Sequence, residues 1–296
     1  MIIKNSFPQY QAVEALNISS LVNIKKSPEA FKWHLNNREE TASLTIGRLL
    51  HTLILEPETV GNTYAIEPNK KDFKFVTVDD IKPLLELHGL KKTGKKEDLL
   101  ASLRPFLSND EIRQVYDFTL QAFNLETEGK EKVSAKDFDK CVEISSKVLA
   151  DLRISKMLRH NGQPEISIEQ EIDGIKVKGR VDFLSENFFL DYKSCQDCSP
   201  EAFTRDFVKY NYHTKLFFYQ KILELETGKK LPCIVIAQSK EENCDFMIYE
   251  VSQEFLDLGE VEFNKMFETY KACVNENNFP PMDKSIQVLT PPVWLK

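Results

Sequence analysis

The chain has 296 residues, of which 42% are hydrophobic and 29% charged, and its formal net charge is −7. That composition suits one large domain, or one domain with a small added module, able to bury a core. It weakens the case for nucleic-acid binding over the whole surface, but does not exclude a local basic groove, because phosphate recognition needs clustered rather than excess Lys and Arg. No stretch approaches the ~18 uncharged apolar residues of a membrane span. The opening "MIIKNSFPQYQ" lacks the basic start and apolar run of a secretory signal, so the six cysteines read as reduced thiols of a cytoplasmic protein.

Along the chain, residues 19–35 read as two short helices broken at Pro28. Residues 41–55 place Ile46, Leu49, Leu50, Leu53 and Ile54 at helical spacing, and Pro57 closes that helix. His51 lies on it; a lone histidine there would ordinarily be a satisfied core residue. Residues 76–107 form a compact unit of two leucine-lined helices, the first around Ile81, Leu84 and Leu85, the second around Leu99, Leu100 and Leu103. Between them runs a basic turn with Lys91, Lys92, Lys95 and Lys96. So small a unit would be marginal alone. Residues 124–137 are polar and predict a loop. Ser134 then caps a helix expected to run to about 159, which would carry Lys147, Arg153, Lys156 and Arg159 at helical spacing.

Residues 165–184, "EISIEQEIDGIKVKGRVDFL", are the most readable part. Apolar and polar residues alternate on both sides of Asp173-Gly174, a strong hairpin signal that favours a type I′ turn. The turn fixes the register: Glu171 faces Lys176, Glu169 faces Lys178, Ser167 faces Arg180, and Ile166 meets Val181. The complementary charges support that register. One step further, Glu165 would face Asp182. Two opposed carboxylates are tolerated if one is protonated, if a bulge displaces one, or if a cation sits between them.

Residues 188–193 predict a third strand with Asp191 and Lys193 on one face. Paired beside the hairpin, it would gather Glu165, Asp182, Asp191 and Lys193. Hard carboxylate oxygens of this kind suit Mg²⁺ or Mn²⁺, and a lysine beside such an ion can orient a water and stabilise the oxygens of an attacked phosphodiester. The bland alternative is a wetted strand face that happens to carry Asp-x-Lys. Cys195-x-x-Cys198 follows, without the second ligand pair that a zinc site needs.

"GRVDFL" and "FLDYKS" resemble the two core motifs of the PD-(D/E)xK nuclease superfamily, with Val181 where the motif's proline would stand. "GRLLHTLILEP" is similar to the histidine helix of its RecB-like branch. Further stretches, "ISSLVNIKKSPEAFKWHL", "PEISIE", "YNYHTKLFFYQ" and the terminal "PPVWLK", resemble the phage and prophage exodeoxyribonuclease VIII (RecE-like) group. The resemblance covers nearly the whole chain outside 76–110. It implies an α/β fold, a mixed central sheet flanked by helices. It implies a site with Asp182, Asp191, Lys193 and Glu165 as catalytic groups and His51, Asp182 and Asp191 as ligands of Mg²⁺ or Mn²⁺. On the helix after the Asp-x-Lys strand the group often carries Gln-x-x-x-Tyr. Here Lys215 and Tyr219 stand at those positions, as candidate DNA contacts. Glu143 or Ser146 aligns with a further acidic position of some relatives.

Residues 76–107 separately resemble a SAP-type DNA-binding module, which implies phosphate contacts by Lys91, Lys92, Lys95 and Lys96. The expected organisation is a nuclease domain in two parts, 1–75 and 111–296, around an insertion at 76–110. The implied activity is hydrolysis of linear duplex DNA from its ends, 5′ to 3′, by a ring-shaped homo-oligomer that leaves single strands for a phage annealing protein. A RecB-like nuclease of other polarity, an endonuclease and an inactive SAP-type DNA-binding protein remain the alternatives.

Overall fold

The Asp173-Gly174 turn forms as the sequence dictates. Both residues take positive φ, 49° and 76°, as a type I′ turn requires. It joins the two longest strands of a mixed sheet in a computed structural model that describes residues 1–37, 41–159, 161–286 and 288–290. The "PPVWLK" segment lies outside the described residues. Nine strands are present among them: β1 (Ile2–Lys4), β2 (Leu16–Asn17), β3 (Tyr64–Glu67), β4 (Glu131–Ser134), β5 (Gly162–Ile172), β6 (Ile175–Ser185), β7 (Phe189–Cys195), β8 (Cys233–Ser239) and β9 (Phe246–Glu250). The chain divides into two compact units, Met1–Glu40 with Leu152–Lys296, and Thr41–Asp151.

In the first unit the sheet runs β1-β5-β6-β7-β8-β9, with β2 attached to β6. The β5–β6–β7 meander is antiparallel, β7 and β8 are parallel, and β9 returns antiparallel. The β7–β8 crossover is made by the helices Pro200–Lys209 and Tyr212–Thr227. A helix of Gln253–Asn275 joins them to cover the sheet, and the core is built from Ile168, Val181, Phe189, Val235, Phe218 and Phe263 with their neighbours. Two glycines let these layers approach. A Cβ on Gly179 of β6 would lie 2.5 Å from Ile222 Cδ1 and 3.1 Å from the Tyr219 ring. A Cβ on Gly259 would lie 2.4 Å from the His213 carbonyl oxygen.

In the second unit a helix of Ala42–Leu55 buries Leu49, Leu50 and Ile54, and Thr41 caps it by accepting from the Leu44 N–H. β3 and β4 pair parallel beside it. The expected loop over 124–137 is therefore corrected: a helix continues from Tyr116 to Glu126, and Glu131–Ser134 is a strand whose partner lies some 70 residues earlier. Ser134 caps the next helix as expected, accepting from the Asp137 N–H. That helix ends at Ala150. Asp151 is extended, with φ −71° and ψ 123°, and a separate helix of Leu152–Arg159 follows. The break separates Lys147 from Arg153, Lys156 and Arg159, so no single basic helical face exists there.

Residues 78–103 form the two expected helices, Val78–Leu87 and Lys96–Leu103. Their apolar cluster of Ile81, Leu85, Leu99, Leu100 and Leu103 also takes in Phe75, Val115 and Phe118 from outside 76–110. All six cysteines are free thiols and all are buried. No helix among the described residues is long and apolar enough to cross a membrane.

Candidate active site

The β5–β6 register agrees with the count from the turn on both sides of one gap. Ile166 pairs with Val181 and Pro164 with Phe183, but the ladder skips Glu165 and Asp182 between them. Glu165 takes a positive φ of 55°, a conformation unfavourable for a residue with a side chain. The register does not slip, so this is a local twist of one residue rather than a bulge. The turned Glu165 carboxylate accepts from Arg180 Nε at 2.6 Å. Arg180 Nη1 in turn donates to the Asn5 carbonyl, Asn5 Oδ1 and Ser167 Oγ. The like charges are thus relieved by an adjacent guanidinium, and carboxylate oxygens of Glu165 and Asp182 remain within 4.8 Å of one another.

A second fork opens on the other edge of β6. β6 pairs with β7 at Phe183–Leu190 and Leu184–Phe189. The next pair would be Asp182 with Asp191, and there the ladder stops. Asp182 instead accepts the Tyr192 N–H at 2.6 Å. β7 runs on beside β8 through Asp191, Tyr192 and Lys193. Buried Tyr192 is anchored by its hydroxyl, which donates to Gln238 Oε1 at 2.8 Å.

Asp191 and Lys193 share their strand face with Phe189 and Cys195, the face covered by helices, rather than a wetted one. Asp191 is only 3% exposed. Lys193 Nζ pairs with its carboxylate and lies 5.3 Å from the centre of the Tyr212 ring. Buried charge of this kind persists only when paired.

The electrostatics follow from burial and crowding. Burial pushes Asp182 up to about 7, and the facing Asp191 carboxylate adds to it; Lys193, the Tyr192 amide and Arg180 pull back only in part. Burial opposes the charge of Lys193, but Asp191 and Asp182 outweigh it and hold the ammonium above its ordinary value. Lys215 is compensated only in part, by Asp191. Burial, reinforced by the like charge of Lys193, pushes it down to about 8. Burial raises the Tyr219 phenol well above its ordinary value.

The structure therefore brings together Glu165, Asp182, Asp191 and Lys193, with Lys215 and Tyr219 on the adjoining helix. Lys193 and Lys215 both line one cleft with Asp191, Tyr212 and Tyr219. His51 lies half-buried on the Ala42–Leu55 helix of the second unit. Glu143 is exposed and pairs with Lys140. Of the four turn lysines, Lys91 and Lys95 are exposed, Lys92 pairs with Glu86 at 3.1 Å, and Lys96 is tied to Asp117 and the Val76 carbonyl. Cys195 and Cys198 are buried, and burial raises both thiols.

Sequence reasoning missed Arg180 and Tyr212. Arg180 was legible in part: it lies two residues from Asp182 on the same strand face and diagonal to Glu165, within reach of a long side chain. Nothing in the sequence places the Tyr212 ring beside Lys193.

The donor set fits a hard divalent cation: carboxylate oxygens converging at one gap in the ladder, one of them pushed up by burial and by a facing carboxylate. Residues 17–290 match the family model of a PDDEXK-like domain of unknown function (DUF3799). Among solved structures, a candidate exonuclease from Eubacterium rectale shares 18% identity, with 76% of this chain and 91% of that one covered and a TM-score of 0.44. SSO0001 shares 18% identity over 40% of this chain and 63% of that one, with a TM-score of 0.24. No curated protein matches.

Proposed function

The chain belongs to this PDDEXK-like family, and on that premise we propose that it is a divalent-metal nuclease that hydrolyses DNA phosphodiesters. Family membership supports a nuclease hydrolase. The observation that carries the site is the pair of gaps flanking Asp182, where Glu165, Asp191 and Lys193 converge on a carboxyl group that its surroundings hold near neutrality.

In this reading Glu165, Asp182 and Asp191 would hold Mg²⁺ or Mn²⁺, and the sequence resemblance adds His51 as a further ligand. The bound cation supplies Lewis acidity and offsets charge on the attacked phosphate. Asp182 would serve as a ligand in its ionised form, so metal binding would release its proton. Arg180 holds the Glu165 carboxylate turned toward the gap, so the ligand is oriented before the cation binds. Asp191 holds the ammonium of Lys193, which keeps its proton at neutral pH. Its charge stabilises the oxygens of the phosphate as negative charge grows on them.

We place the finer activity with linear duplex DNA, degraded from its ends 5′ to 3′ to leave single strands for a recombination partner. The sequence resemblance to the exodeoxyribonuclease VIII group supports this reading. The 76–107 turn lysines would add sequence-blind affinity for the duplex. A metal-dependence assay on duplexes labelled at either end tests all of it. Mg²⁺- or Mn²⁺-dependent release of labelled mononucleotides from 5′ ends is the expected result. Release from 3′ ends alone would overturn the polarity, internal nicking the exonuclease reading, and inactivity with every divalent ion the nuclease itself.

A further inference from the structure

The cleft beside Asp191 holds an excess of positive charge. Asp191, Lys193 and Lys215 line it, with Tyr212, Tyr219, Leu216 and, at its mouth, Ser19. The one carboxylate is paired with Lys193. Lys215 has no ion pair or side-chain hydrogen bond among the described residues. Its ammonium lies 5.4 Å from the centre of the same Tyr212 ring that Lys193 approaches from 5.3 Å. Two cations of like charge thus approach one aromatic ring in a single cleft, one of them half-buried and without an ion pair among the described residues. That arrangement is costly without an anion, and the protein builds it deliberately: Gly179 admits the Tyr212–Thr227 helix against β6, which carries Lys215 to this place.

The size of the cleft limits what can satisfy it. Its volume is about 100 Å³, room for roughly three waters at ~30 Å³ each. A single tetrahedral oxyanion fits. Ser19, on the short Ile18–Leu21 helix, offers a hydroxyl donor at the rim.

We propose that Lys215 and Lys193 form a two-cation subsite for one phosphate group, which rests on the nuclease reading for its source in a DNA strand. Lys215 supplies charge that a neutral residue at this position could not. It acts in binding and positioning the phosphate, while Lys193 keeps its pairing with Asp191.

Inorganic phosphate titrated into the metal-free full chain, followed by calorimetry and thermal melting, tests this without reference to cleavage. Phosphate should stabilise the parent. Lys215→Met should weaken phosphate binding on the order of 10–100-fold, the loss expected for one charge-assisted hydrogen bond, and Lys215→Arg should retain most of it. Without phosphate, Lys215→Met should melt no lower than the parent, because it removes a charge compensated only in part. Unaltered phosphate affinity in Lys215→Met, or a much lower melting temperature without phosphate, overturns the proposal. A parent that binds phosphate through Lys215 yet cleaves nothing supports the subsite and sinks only the nuclease reading. Duplex ends with and without a 5′-phosphate distinguish the source. Lys215→Met weakens both if the group is an internal diester, and only the phosphorylated end if it is terminal.

Discussion

Asp182 is the residue on which the site's chemistry turns, and its proton sets a testable sign. Its value near 7 in the folded metal-free protein exceeds the ordinary carboxylate value of 3.8. Between those limits the native state holds a proton that the unfolded chain has released. This group's contribution to stability is therefore largest at low pH and declines as pH rises through about 7. A cation favours the ionised form, so added Mg²⁺ or Mn²⁺ should raise the melting temperature more at pH 8 than at pH 5.5. An equal shift at both values would remove Asp182 from the ligand set.

Asp191→Asn keeps the shape but removes the charge that pairs with Lys193, so the fold should persist at lower stability, while turnover drops by about 10³-fold or more; thermal melting by circular dichroism and an end-labelled assay check both halves. Arg180→Met should leave Glu165 with an uncompensated carboxylate and weaken metal affinity, with a smaller loss in Arg180→Lys. Titration of Mn²⁺ by calorimetry reads the difference.

At the scale of elements, close helix packing is the most exposed feature. Gly259→Ala sets a Cβ 2.4 Å from the His213 carbonyl oxygen, backbone that cannot rotate away. Overpacking of this kind should cost about 3 kcal/mol, read as a lower denaturation midpoint with an unchanged m-value.

The elements also show where sequence was sufficient. The β5–β6 register was legible to the last pair because a two-residue Asp-Gly turn leaves no freedom in counting, and alternation then assigns faces. What pairing alone could not supply was the turned backbone at Glu165, which depends on Arg180 and its hold on Asn5, 175 residues away. The clustering of the three carboxylates with Lys193 was legible for the same reason: all lie on strands whose period is two. Their burial was not, because the covering helices are set by Gly179 and Gly259 rather than by any pattern near Asp191. Strand β4 was missed because four residues, three of them polar, look like a loop until β3 is beside them. The helix break at Asp151 had no proline or glycine to announce it.

For the molecule as a whole, the basic turn and the nuclease site can be separated experimentally. Deleting 76–110 would strip Phe75, Val115 and Phe118 of their apolar partners, so charge reversal is the better instrument. Lys91→Glu with Lys95→Glu changes two exposed residues and leaves Lys96 with Asp117. Duplex affinity should fall, and the slope of log K against log salt should become shallower by about 2, at about 0.9 per lost phosphate contact. Single-turnover cleavage of saturated enzyme should barely change. An unaltered salt slope would make this turn an ordinary solvated surface.

The burial of every cysteine gives the protein a built-in reporter of its own opening. Cys141 lies in the Thr41–Asp151 unit, while Cys233 and Cys244 lie in the other, and all three are at most 1% exposed. Burial pushes Cys141 up to about 11 and Cys233 well above its ordinary value, so neither is a ready thiolate in the native state. A maleimide or disulfide reagent can then modify them only after the surrounding structure opens. Pulse labelling followed by peptide mass spectrometry would time the opening of each unit in the unmodified chain, and repeating it with Mg²⁺ would show which unit the ion slows. Protection gained at Cys233, which lies on β8 one strand from Asp191, is the result a cation held by the β6–β7 fork requires.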